Sequence, residues 1–174
     1  MATVFFSNKL ATLLNIPKSR LTAIPTEDNF SLWNAQLFSV DKRKCLIVTN
    51  KKTLYSFVAL DILKKDIEDF KTFFIDRLFR QLQHDNLLTT ELKTLIEKDF
   101  QAVNLLTTDN DKKTIGSMND YIYHTKDFIY RKSHISHVDS YSIAGLLNDI
   151  PMGALKYAKP IERVNKLFSP SVDS

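Results

Sequence analysis

The sequence predicts a single α+β domain: a largely antiparallel sheet with a three-stranded meander, and helices packed on one face. Three observations carry this expectation. Between Leu32 and Leu60, strand-like segments are separated by short charged turns. From Asp61 the apolar period changes to three or four residues, the repeat of amphipathic helices. The 174 residues, 44% hydrophobic and 25% charged, have the size and balance of one globular domain. The domain is expected to span residues 1–168, with 169–174 as a disordered tail.

The elements follow in order. "TVFFS" reads as a first strand, and Ser7 is placed to cap a short helix with Leu10, Leu13 and Leu14 inward. Two prolines and several turn formers make Asn15–Asn29 a long loop. In "LWNAQLFSV", Trp33, Ala35 and Leu37 alternate with Asn34 and Gln36, the period of a half-buried strand. "CLIVT" is continuously apolar and reads as the central strand, and "TLYSFVAL" closes the meander. Ile67, Phe70, Phe74, Leu78 and Leu82 then mark one face of a helix that Asn86 stops. Thr90 starts a second helix, with Leu92, Leu95, Ile96 and Phe100 inward, and "AVNLLTT" reads as another strand. "DNDKKTIGSMNDYIYHTKDF" opens a third helix, with Ile115, Met118, Ile122, Thr125 and Phe128/Ile129 on its inner face. Beyond Arg131 the periodicity fades, and "SHISHVDSYS" reads as loop. Twelve phenylalanines predict an aromatic core.

Composition excludes several functions. The three glycines, Gly116, Gly145 and Gly153, are far apart. Neither a P-loop nor a dinucleotide fingerprint can be built from them, so no nucleotide cofactor is expected. Ser117 lies in "GSMN", not in a G-x-S-x-G elbow. The single cysteine, Cys45, sits in an apolar strand and reads as a buried structural thiol. One cysteine, no signal peptide and no apolar run of membrane-spanning length point to a cytoplasmic protein without a membrane partner.

The net charge of +4 is uneven, and both ends of the chain are basic, which suits an anionic partner. Lys42, Arg43 and Lys44 fall in one meander turn and Lys51 and Lys52 in the next. Strand length sets the two turns about 20 Å apart, so they do not form one patch. The third helix carries the better candidate. Lys112 and Lys113 lie at its start, where free N–H groups attract anions. Asn119, Tyr123, Lys126 and Tyr130 follow along one outer face. Lysines beside aromatics suit a phosphate backbone and its bases, and the same face suits a partner protein. His134, His137 and Asp139 are the candidate metal ligands, with His124 one helical stretch earlier; loop spacing alone does not make them converge.

The stretches "NKLATLL", "WNAQL", "RKCLIVTNKKTLYSFV", "TIGSMNDYI" and "PMGAL" carry a resemblance to an uncharacterised bacterial family, a domain of unknown function, over most of residues 1–155. They also resemble the N-terminal domain of some plasmid-encoded open-reading-frame proteins. The resemblance implies a mobile-element or regulatory setting and brings no catalytic residues with it. The residues point to a small non-enzymatic binding protein, nucleic-acid-associated or a regulatory accessory factor. The alternatives are a protein-interaction module, inhibitor or antitoxin-like, and a metal-dependent hydrolase built on the histidine loop.

Overall fold

The computed structural model describes residues 1–18 and 30–169. Most of the Asn15–Asn29 segment, and the tail beyond Ser169, lie outside the described residues. Five strands form one mixed sheet: β1 (Ala2–Phe6), β2 (Leu32–Val40), β3 (Arg43–Asn50), β4 (Ser56–Ala59) and β5 (Val103–Thr107). Their spatial order is β4-β3-β2-β1-β5. The predicted meander is present as antiparallel β2-β3-β4. β1 adds to β2 in parallel and takes β5, also in parallel, on its other side. The "CLIVT" strand, β3, is the central strand of the meander as expected, while the centre of the whole sheet is β2. Asp41 and Lys42 join β2 to β3 in two residues, both with positive φ (49° and 65°), as the tightest hairpins require.

Seven helices are described: α1 (Asn8–Leu13), α2 (Lys64–Ile67), α3 (Phe70–His84), α4 (Thr90–Asp99), α5 (Lys112–Arg131), α6 (Ser140–Leu147) and α7 (Pro160–Phe168). They cover both faces of the sheet, not one. Val4, Phe6, Trp33, Leu46, Val48 and Phe57 point into a core shared with α1, α3, α4 and α7. Phe38, Cys45, Ile47 and Val58 point into a second core shared with α5 and α6. The physical reason lies in the strands: a run such as "CLIVT" is apolar at successive positions, and such a strand must be buried on both sides. The first core is aromatic. Trp33 meets Phe74 edge-on at 5.3 Å between ring centroids, and Phe74 stacks on Phe100 at 5.4 Å.

Three helix starts use one device. Asp69, Asp111 and Asp139 each cap a helix and each accept from a Thr or Ser three residues on. Asn86, with φ of 56°, ends the turn after α3 in the left-handed region, as its position predicted. The expected loop after Arg131 is instead a 3-10 turn at Ile135–His137 followed by α6, which is only two turns long and so shows little periodicity.

Candidate functional site

β1 and β5 run parallel as neighbours, but the chain leaves them in opposite directions. After β1 it enters α1, which packs in the first core, and after β5 it enters α5, which packs in the second. Parting the two connections leaves a crevice beyond the carboxyl ends of the strands, the place where open α/β sheets bind ligands. A pocket of about 200 Å³ occupies it. Its polar lining is neutral: Ser7, Asn8, Asn34, Gln36, Thr108 and Asn110. Phe5, Ile115 and Met118 supply the apolar part. Asn34 is buried (4% exposed), and its side-chain carbonyl oxygen has no hydrogen-bond partner among the described residues.

The start of α5 is already neutralised by the chain itself. The Asp111 carboxylate accepts from the backbone N–H of Lys113 (3.1 Å) and Thr114 (3.4 Å) and from the Thr114 hydroxyl (2.7 Å). Lys51 reaches across from the end of β3, pairs with Asp109 and Asp111, and lies 4.8 Å from the Phe5 ring centroid. Burial works against ionisation of Asp111, but the Thr114 hydrogen bonds and the Lys51 charge outweigh it and hold its carboxyl below the usual carboxylate range. Lys112 and Lys113 are exposed beside this cluster. The helix N–H groups expected to attract an anion thus already serve Asp111.

Further along α5 the surface becomes basic. β1 ends opposite Ala35, so the second half of β2, paired with β3 on one side, has no strand on the other. Ser7 N–H donates to the Ala35 carbonyl (2.9 Å) and Thr3 N–H to that of Ser31 (2.8 Å), which fixes the odd-numbered residues of β2 as those whose backbone faces β1. The N–H and C=O groups of Leu37 and Ser39 therefore face the side where β1 has ended. A groove of about 660 Å³ runs there, with α1 on one side and α5 on the other. Lys9 of α1, Lys44 of β3 and Lys126 of α5 line it, and among the described residues no acidic side chain does. Gln36 lines both groove and pocket, and its amide donates to Asn119 Oδ1 (3.4 Å), so this pair stands at the passage between them. Tyr123 and Tyr130 lie on the same outer arc of α5 and are 72% and 60% exposed.

Of the residues singled out from the sequence, Asn119 and Lys126 enter the groove, Tyr123 and Tyr130 stand beside it, and Lys112 and Lys113 remain at the helix start. The histidine loop is organised differently from a ligand set. His134 Nδ1 lies 2.7 Å from the Ser136 hydroxyl, and His137 Nδ1 lies 3.2 Å from the Lys132 carbonyl. Asp139 caps α6, accepting from Ser142 N–H (3.0 Å) and its hydroxyl (2.9 Å). His124 stacks on Phe128 at 6.4 Å, on its own helix. Among the described residues no group of three or more His, Cys, Asp or Glu side chains is placed to hold a metal ion. The Ser117 hydroxyl donates to the Lys113 carbonyl (3.0 Å) inside α5. Burial pushes the Cys45 thiol above its ordinary pKa, as expected of a structural cysteine.

Sequence reasoning set Lys44 aside as a turn lysine and did not place Lys9, Asn34 or Gln36 in a site. Lys9 and Lys44 join the site only through the fold. Asn34 and Gln36 did carry a signal, as polar residues in a strand, but alternation assigned them to solvent. Among the described residues no helix is long and apolar enough to cross a membrane. No curated protein matches the chain. A family model matches residues 3–163, and by that match the chain belongs to the domain-of-unknown-function family DUF6933.

Proposed function

We propose that the protein is a non-enzymatic binding protein that holds a single nucleic-acid strand along the groove beside β2, in an accessory or regulatory role. One observation carries this reading: Lys9, Lys44 and Lys126, from three separate elements, line one groove that no acidic side chain among the described residues lines. Such an arrangement follows a chain of phosphates, and the two exposed tyrosines beside it offer π-faces for bases. The single buried cysteine accords with a cytoplasmic setting.

Fluorescence anisotropy with labelled oligonucleotides tests the proposal. Single strands should bind at low salt, and the affinity should fall with a log–log salt slope of about −2, as three neutralised phosphates give for single strands. Replacing Lys9, Lys44 and Lys126 together by alanine should flatten that slope and abolish most of the binding. Absence of binding to any single- or double-stranded DNA or RNA at low salt would overturn the reading.

A second reading has its own support. The backbone of Leu37 and Ser39 faces the groove, and an extended acidic peptide can add there as a strand. Ser39→Pro separates the two: it removes an edge N–H without touching the β2-β3 ladder, so it blocks strand addition and spares phosphate contacts.

A further inference from the structure

We infer that the crevice beyond β1 and β5 is a nucleobase pocket, filled by one base of the strand that lies in the adjoining groove. The inference rests on the proposed nucleic-acid reading and adds to it where sequence selectivity resides.

Three features of the pocket define its ligand. The first is the orphan acceptor. Asn34 is 4% exposed and its Oδ1 has no hydrogen-bond partner among the described residues, although an unpaired buried carbonyl is costly and rare in folded proteins. Asn34 lines the pocket, and a turn of its side chain toward a ligand N–H there would remove that cost. The second is charge. Among the described residues the pocket is lined by six neutral polar side chains and no ionised one, so it suits a neutral group and gives a phosphate nothing to pair with. The third is size and shape. About 200 Å³ lies below the range of drug-sized sites and corresponds to a single small ring system. Phe5 and Met118 flank it with apolar surface for a flat body, while Ser7, Thr108 and Asn110 offer hydrogen bonds at the rim. A purine or pyrimidine base combines these properties: planar, neutral, and edged with N–H donors and carbonyl acceptors.

The connection between the two sites supports the assignment. Gln36 belongs to both, two residues from Asn34 on the same strand face, a separation of about 7 Å. A strand whose phosphates follow Lys9, Lys44 and Lys126 can therefore turn one base past the Gln36–Asn119 pair into the crevice. The lysines read only the backbone; the asparagine and its neighbours read the base.

The test uses the whole protein and two kinds of probe. Homopolymeric single strands of each of the four bases are titrated by anisotropy, and the four free nucleosides, which lack phosphate, are titrated while the side-chain amide resonances of Asn34 and Gln36 are followed by NMR. The expected result is a preference of about tenfold for one base over the least favoured, the usual scale of discrimination by hydrogen-bonded base edges. The matching nucleoside should shift the Asn34 amide saturably. Asn34→Leu should bring the four affinities together and abolish the nucleoside shift. Because it removes the orphan acceptor, it should not lower Tm; a purely structural Asn34 would lose stability on the same change. Oligonucleotides binding equally well whatever their base, with no nucleoside shift, would overturn the pocket and leave the groove standing. Nucleosides shifting Asn34 while no oligonucleotide binds would leave a site for free nucleosides and overturn the groove. Failure of both probes would remove both readings.

Discussion

Asn148 shows how one residue can close a sheet. Its side-chain carbonyl accepts from Ser56 N–H (2.8 Å), and its amide donates to the Ser56 carbonyl (2.9 Å). The side chain thus replaces one residue of a missing strand at the outer edge of β4, and the same amide reaches Asp85 at 3.3 Å. Asn148 and Ser56 are both fully buried, so nothing else satisfies these backbone groups. Asn148→Ala should destabilise the fold by about 2–4 kcal/mol, the cost of two unmade buried hydrogen bonds. For a chain of this size that lowers Tm by roughly 5–15 °C in a thermal melt. A change below about 1 kcal/mol would show that the pair carries little of the edge. None of this was visible in "LLNDI", because the partner lies 92 residues away. Ser7 is the contrasting case. Its hydroxyl accepts from Leu10 N–H three residues on, and a contact so local was read correctly from sequence.

The Asp-capped helices share an acid sensitivity. Hydrogen bonds from Thr72 hold Asp69 below the ordinary carboxylate range. At Asp111 and Asp139 burial works the other way, but hydrogen bonds from Thr114 and Ser142 prevail and the pKa is again lowered. A carboxyl whose folded pKa is depressed stabilises the protein above its unfolded value of about 3.9 and loses that contribution as pH falls through the lower folded value. Part of the acid limb of the stability curve below about pH 4 therefore belongs to the three caps. The triple variant Asp69→Asn, Asp111→Asn and Asp139→Asn keeps a capping oxygen but cannot titrate. Melts between pH 6 and 2 should show a shallower acid decline for it than for the parent, and superimposable declines would refute the attribution. These caps also mark the limit of legibility for elements. α3, α4 and α5 showed their apolar stripes because each spans ten residues or more, whereas α6 and α7, at eight and nine residues, offered too few repeats, although Asp139 and Pro160 mark their starts.

For the whole molecule, the sequence was informative about class and meander and silent about strand order. The hairpins β2-β3 and β3-β4 are joined by short turns, so their pairing follows from proximity. The insertion of β1 between β2 and β5 joins segments that are far apart in sequence, which no local pattern encodes. The candidate site divides the same way. Asn119, Tyr123, Lys126 and Tyr130 share one helix face and were read together, while Lys9 and Lys44 reach Lys126 only because α1 and β3 border the same groove. The half of β2 that β1 leaves uncovered on one side has one more consequence. Backbone groups open to solvent along a strand are a template for another copy of the same strand, and chains with such edges tend to aggregate. Two molecules meeting along this edge would bring six lysines together, and their mutual repulsion keeps the copies apart. Replacing Lys9, Lys44 and Lys126 by serine should remove this protection. Light scattering of the concentrated variant should then rise with time through intermolecular sheet growth, at salt concentrations where the parent stays monodisperse, and Ser39→Pro in the same background should suppress it.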